Sequence, residues 1–386
     1  MLAAFAVLAV VGEMTHDRAG AVFAAAPTAR DLAAPTARDL AADAPVQDRA
    51  MVRFHLAPPT GRELAADRSA GEGRGPLGSG TPVVLAFGGD IHFEGALAEK
   101  LRASPATLLA PIAPMLERAD LAVANLETAI TERGSAAPKA YTFRAPPIAF
   151  AALRAGGIDV VSMANNHGMD FGLEGLHDSL RAARRYRFPV VGIGRNARQA
   201  YAPYRATIKG QRIAVIGATQ VLDDHLIAAW TAGPGKPGLA SAKDVPRLVQ
   251  AVRQARRSAD TVVVFLHWGV ELSECPTADQ QALARALVRA GADVVVGGHA
   301  HRVQGAGRMG RALVGYGLGN FVWYGTSEAS TRSGVLLVTA TGRRIDAYRW
   351  VPARIVDGVP RPMTGAERAS ALRSWRELRS CTGLRP

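Results

Sequence analysis

From Thr81 onward the chain alternates between two patterns of apolar residues. Short runs of β-branched and apolar residues read as strands: PVVLAF (82–87), DLAVAN (120–125), IDVVSM (158–163), RIAVIGA (212–218), TVVVFL (261–266), ADVVVGG (292–298) and ALVGYGLG (312–319). Between the later runs lie two well-marked helices. In 244–257, Val245, Leu248, Val249 and Val252 fall at i, i+3, i+4 and i+7 and so share a face. In 277–290, Thr277 and Gln280 form a capping box, Leu283, Leu287 and Val288 form the stripe, and Gly291 closes the end. Strands that alternate with helices predict an α/β fold around a largely parallel or mixed sheet.

The ends of the chain look different. The opening MLAAFAVLAVVGEM has an apolar run as long as a signal-peptide core and too short to cross a bilayer, but no basic residues precede it. With a small-residue cleavage site in AVFAAAP, it reads as an export signal with a misplaced or truncated start; the alternative is an Ala-rich leader. APTARDLA then occurs twice, at 26–33 and 34–41, too few copies for a solenoid, and Pro, Gly and Arg dominate to about Gly80. Residues 1–80 are therefore expected to be leader and linker, 81–355 the folded domain, and 356–386 a tail whose TGAERASALRSWRELRS forms an Arg-rich helix on the surface.

Composition narrows the function classes. The net charge of +13 is almost wholly arginine, since only five lysines occur. It fits a GC-rich coding bias or a polyanionic partner. Nucleic acid is not expected, because no zinc-finger spacing, RNA-recognition signature or basic-aromatic segment is present. Cys275 and Cys381 are the only cysteines, which excludes a disulfide framework and a cysteine zinc site. One bridge between them would need an oxidising compartment; nothing in the sequence brings the two together, and they are expected to stay unpaired.

Ligands of open α/β sheets gather beyond the carboxyl ends of strands, and the polar residues of this chain cluster there. GGDIH carries Asp90 and His92, NLET carries Asn125 and Glu127, and ANNHGMD carries Asn165, Asn166, His167 and Asp170. HWGVE carries His267 and Glu271, and GHAH carries His299 and His301. Five of the nine histidines thus follow predicted strands, whereas His16, His55, His177 and His225 have no partner pattern. A single such histidine is ordinary core structure; five together are not. Carboxylates, an amide oxygen and imidazoles without thiolate suit two divalent ions such as Mn, Fe or Zn. Two such ions about 3.5 to 4 Å apart clamp a phosphoryl group and lower the pKa of a bridging water.

The order Asp-x-His, acidic residue, Asn-His, His, Gly-His-x-His resembles the calcineurin-like metallophosphoesterase superfamily. NLET, ANNHGMDFG, HWGVE, GADVVVGGHAHRVQG and YGLGNFVW are more closely similar to its CapA branch, the poly-γ-glutamate capsule synthesis proteins, over roughly 82–350. The resemblance implies a four-layer sandwich, two β-sheets between helices. It implies Asp90, His92 and His301 at one metal, Asn166, His267 and His299 at the other, Glu127 bridging, and His167 as general acid. NLE replaces the superfamily's Gly-Asp, so Glu127, or alternatively Asn125, must bridge. Gly168 replaces an acidic residue, so orienting His167 falls to Asp170. Asn165 is expected to fix the turn, Glu271 to orient a ligand, Asn320 to form a turn near the site, and Arg144 to clamp an anion or lie exposed. The implied function is a dinuclear-metal hydrolase, exported to the periplasm, cell surface or membrane. It would act on an anionic polymer or phosphorylated substrate with capsule synthesis machinery at the membrane. The rivals are a polymer-binding protein that keeps the metals, and a general secreted phosphodiesterase or phosphatase.

Overall fold

The computed structural model describes residues 80–386; the expectations for the leader, the tandem repeat, His16 and His55 lie outside the described residues. Two sheets carry the fold. In the first, Val83–Ile91 is central. On one side it pairs in parallel with Leu121–Leu126, followed by Val160–Ser162 and Val190–Val191; on the other it pairs antiparallel with Arg332–Thr341, followed by Arg344–Val356 and Val359–Pro362. The short Asn320–Val322 also lies parallel to the end of Val83–Ile91. The second sheet runs Ala306–Met309, Ala312–Gly315, Val294–Gly298, Thr261–His267, Gln211–Thr219, Tyr204–Ile208, parallel except at its two edges.

The period-2 side-chain alternation of these strands produces the layers. Leu85 and Phe87 join Val263, Phe265, Val294 and Val296 in a core between the two sheets. Their neighbours point the other way. Ala86, Ala122 and Val161 pack with Leu97, Leu101, Phe150, Leu153 and Leu176 from helices Ala96–Ala103, Ala149–Ala155 and Gly172–Arg185. Val262, Val264 and Leu266 pack with Leu248, Val252, Leu283 and Leu287 from helices Val245–Arg256 and Ala278–Ala290. A strand buried on both faces must be apolar throughout, which is why TVVVFL reads as a continuous run. The result is two sheets between helices, as expected. Helix Ala278–Ala290 has the anticipated capping box, with Gln280 N donating to Thr277 Oγ1 at 3.2 Å and Thr277 N to Gln280 Oε1 at 2.9 Å.

The C-terminal region adds a strand and a covalent tie. Val359–Pro362 extends the first sheet, and helix Gly365–Glu377 docks by stacking Trp375 on Trp350 at 5.8 Å between ring centroids. The chain then returns to the second sheet, where Arg379 Nε donates to the Ala306 carbonyl at 2.8 Å and Arg385 bridges Arg308. This return corrects the expectation of unpaired cysteines: Cys275 and Cys381 form a disulfide with their Cα atoms 5.8 Å apart. The pairing depends on where the helix deposits the chain, a tertiary fact that a separation of 106 residues does not encode.

Candidate metal centre

The parallel strands of both sheets end at one edge, and the polar residues that follow them meet there. Asp90 is fully buried; Oδ1 accepts from Asn125 Nδ2 at 2.9 Å and Oδ2 accepts from the His299 backbone N–H at 2.9 Å. Burial raises its pKa, but the His301 hydrogen bond and the charges of His267 and His301 outweigh this and hold the carboxyl below its ordinary value. The His299 approach needs a residue without a side chain at 298, since a Cβ on Gly298 would fall 2.0 Å from Asp90 Oδ1. His299 and His301 take positive φ values of 93° and 51°, a conformation side chains rarely adopt and one that clusters at functional sites.

A chain of amides fixes the orientation of the next residues. The His167 N–H donates to Asn165 Oδ1 at 3.1 Å, and Asn165 Nδ2 donates to the Leu126 carbonyl at 2.9 Å and to Asn125 Oδ1 at 3.0 Å. Asn125 must therefore turn its NH2 outward, to Asp90 Oδ1 and to His267 Nδ1 at 3.1 Å. Both polar ends of Asn125 are used. Glu127, two residues on, is fully buried, and neither carboxylate oxygen has a hydrogen-bond partner. Its Oε1 lies 3.3 Å from His267 Nε2, which itself meets Asn166 Oδ1 at 2.7 Å. Burial, and next the Asp90 charge, push the Glu127 carboxyl well above its ordinary pKa.

Among the described residues, three groups of side chains bring ligand atoms within 4.8 Å of one another: Glu127, His267 and His299; Asp90, Glu127 and His301; and Glu271, His299 and His301. Glu127 is shared by the first two. His299 Nδ1 and His92 Nε2 are also buried without partners. Burial depresses His92 and His267 to about 3, so both are neutral imidazoles, the form that binds metals. His301 Nδ1 donates to Asn320 Oδ1 at 2.9 Å, and Asn320 is held by donating its Nδ2 to the Ser330 carbonyl at 2.9 Å. Asn320 thereby orients the His301 ring and leaves its Nε2 free, the usual support for a ligating imidazole. Burial lowers the His301 pKa, but Glu127 and Asp90 prevail and push it to about 9. An unpartnered buried carboxylate amid unpartnered imidazoles is a donor set that fits divalent cations.

Beside this cluster, His167 Nδ1 lies 2.5 Å from Asp170 Oδ2, which also accepts from the Phe143 N–H at 2.6 Å. With Asp170 as acceptor, the imidazole proton sits on Nδ1 and Nε2 is left bare. Burial raises Asp170 to about 7, while burial and then the Lys139 charge hold His167 well below its ordinary value. The Phe143 ring stacks between His92, at 4.9 Å, and His167, at 4.1 Å. Trp323 and Tyr324 meet the His92 ring edge-on at 4.2 and 4.5 Å.

The structure brings together Asp90, Asn125, Glu127, Asn165, Asn166, His267, His299, His301 and Asn320, and places the His167 and Asp170 pair beside His92 through Phe143. Glu271 is exposed but within reach of His299 and His301. Arg144 stands apart: it is exposed, with its guanidinium 4.8 Å over the Phe171 ring. Sequence reasoning missed Lys139, Phe143 and the Trp323–Tyr324 pair. Lys139 had a signal, as one of only five lysines in a chain whose Lys and Arg total 46.

Residues 84–324 match the family described as bacterial capsule synthesis protein PGA_cap. Among curated proteins, the chain is 31% identical over 266 residues to the capsule biosynthesis protein CapA of Bacillus anthracis, covering 66% of this chain and 63% of that protein. It therefore spans less than two thirds of that relative. It is 28% identical over 290 residues to the PGA biosynthesis protein CapA of Bacillus subtilis (strain 168), covering 73% of this chain and 74% of that one. Among solved structures, a hypothetical protein from Thermus thermophilus aligns with a TM-score of 0.47 at 19% identity, covering 71% of this chain and 100% of that one.

Proposed function

The chain belongs to the PGA_cap family of bacterial capsule synthesis proteins, part of the metallophosphoesterase-like superfamily, and from that premise we propose that it is a dinuclear-metal-dependent hydrolase acting on an anionic capsule polymer of the poly-γ-glutamate type. The observation that carries the reading is Glu127. A fully buried carboxyl whose two oxygens lack hydrogen-bond partners is suited to a cation, and Glu127 is common to two ligand clusters.

Asp90, His92, Glu127 and His301 would hold one ion, and Glu127, Asn166, His267 and His299 the other. Bound there, the ions would polarise the scissile group and lower the pKa of the attacking water. The chain's own residues do the rest. Asp170 fixes the Nδ1–H of His167 and aims Nε2 outward; to serve as general acid the imidazole would first take a proton at Nε2 from solvent and then pass it to the leaving oxygen as the bond breaks. Asn125 locks Asp90 and His267, so ligands from both sheets stay in register. Export to the cell envelope is supported by the disulfide, which persists only in an oxidising compartment. No helix among the described residues is long and apolar enough to cross a membrane.

Elemental analysis of purified protein tests the proposal, together with chain-length assays on poly-γ-glutamate before and after chelation. About two divalent ions per chain are expected, with Glu127→Gln lowering that content. Polymer cleavage should stop on chelation and return with added metal. Protein that neither carries nor takes up transition metal refutes the metal centre. Full metal content with no cleavage refutes the hydrolase and leaves a polymer-binding protein.

A further inference from the structure

Lys139 lies in the loop before the short strand Arg144–Ala145, and its side chain is only 6% exposed. Its ammonium donates to Asp170 Oδ1 at 3.0 Å and to the backbone carbonyl of Asn166, with Asp223 Oδ2 at 3.8 Å and the Trp230 ring at 5.5 Å. A lysine has three N–H donors; two meet protein acceptors here, and the Asp223 carboxylate faces the ammonium beyond hydrogen-bond distance. The two acceptors it joins belong to residues with different tasks. Asn166 offers its side-chain oxygen beside His267, and Asp170 holds His167.

We propose that Lys139 is the positioning residue of this centre, gripping the Asn166 backbone and the Asp170 carboxylate so that metal ligand and proton donor keep one fixed relation. The inference rests on the hydrolase reading for the role of His167, though not for the geometry. The rest of the segment reinforces the grip. The Ala137 N–H donates to the Asp170 carbonyl at 2.7 Å, the Phe143 N–H to its carboxylate, and the Phe143 ring separates His92 from His167. A compact ammonium reaches both acceptors from one point, whereas the guanidinium used elsewhere in this chain spreads its donors across a plane.

The two native cysteines are joined to each other, so Lys139→Cys carries one free thiol. Alkylating it with 2-bromoethylamine restores an ammonium on a side chain of lysine length. The first readout is the low-field proton resonance of the His167–Asp170 hydrogen bond, assigned by its loss in His167→Ala. It is expected to shift or vanish in Lys139→Met and Lys139→Cys and to return on alkylation. The second is polymer cleavage: kcat should fall about 10- to 100-fold, as when the partner of an active group is lost. KM should change little, and alkylation should recover the rate. A resonance in Lys139→Met that matches the wild type overturns the proposal, as does folded, alkylated protein in which neither readout recovers. Absence of cleavage by the wild type counts against the hydrolase reading alone, since the resonance is read without substrate.

Discussion

The Cys275–Cys381 bridge joins residues 106 apart, from the loop after His267 to the last turn of the chain. In the chain-entropy description, a loop of that length lowers the entropy of the unfolded state by about 16 cal/mol/K, or about 4.8 kcal/mol at 25 °C. A folded region of about 300 residues unfolds with roughly 0.6 kcal/mol/K of entropy, so losing the bridge should lower Tm by about 7 to 8 °C. The metal centre should be spared. Its neighbouring loop is separately held by Leu272 N–H donating to the Ala300 carbonyl at 2.7 Å, and by Gln304 Nε2 donating to the Ser273 and Cys275 carbonyls at 2.9 and 3.3 Å. Calorimetry of the oxidised protein, the reduced protein and the Cys275→Ser, Cys381→Ser double variant measures the shift, with metal content read on each. If all three melt together while the oxidised sample contains no free thiol, the entropic reasoning is wrong. Loss of metal on reduction would instead show that the staple holds the ligand loop.

Two further substitution experiments separate roles inside the centre. Asn166→Ala should lower metal content, with activity partly recovered by added metal, whereas His167→Ala should keep its metal and lose about 10²- to 10⁴-fold in turnover, least for good leaving groups. Metal loss in His167→Ala would make His167 a ligand. Asn125→Asp should weaken metal binding, because it removes both donors and sets a carboxylate 2.9 Å from Asp90; stronger binding would show that position 125, not Glu127, is the bridge.

Much of this was legible because burial and chemistry leave separate marks on a strand. A strand packed on both faces must be apolar along its length, so polar residues that cluster just after such runs report a shared edge. Hence the strand ends at Asp90, Glu127, His267 and His299 could be read before the fold was known. What escaped depends on where connections return. Lys139 and Phe143 lie in a loop with no periodicity, and only the packing of 137–143 against Asp170 brings them to His167. Val359–Pro362 reads VPRP, against strand formation; it is tolerated because it lies at the sheet's edge, where a proline without an N–H leaves no ladder bond unmade. Arg144, read from the sequence as an anion clamp or an exposed residue, stands exposed over the Phe171 ring.

The replacement of the superfamily's Gly-Asp by NLE looks at first like a weakening of the bridging position, and the sheet register argues otherwise. Asn125 is paired directly opposite Asp90 in the parallel ladder, so its side chain emerges level with a carboxylate that needs a donor. A carboxylate there would face Asp90; an amide binds it and, with its second N–H, reaches His267 on the other sheet. Residues 125 and 127 share a face through the strand period, so the bridging duty can pass one pair further along. In the proposed centre the asparagine and the glutamate thus have complementary parts: the first ties Asp90 to His267 across the two sheets, and the second keeps two buried oxygens without a hydrogen-bond partner.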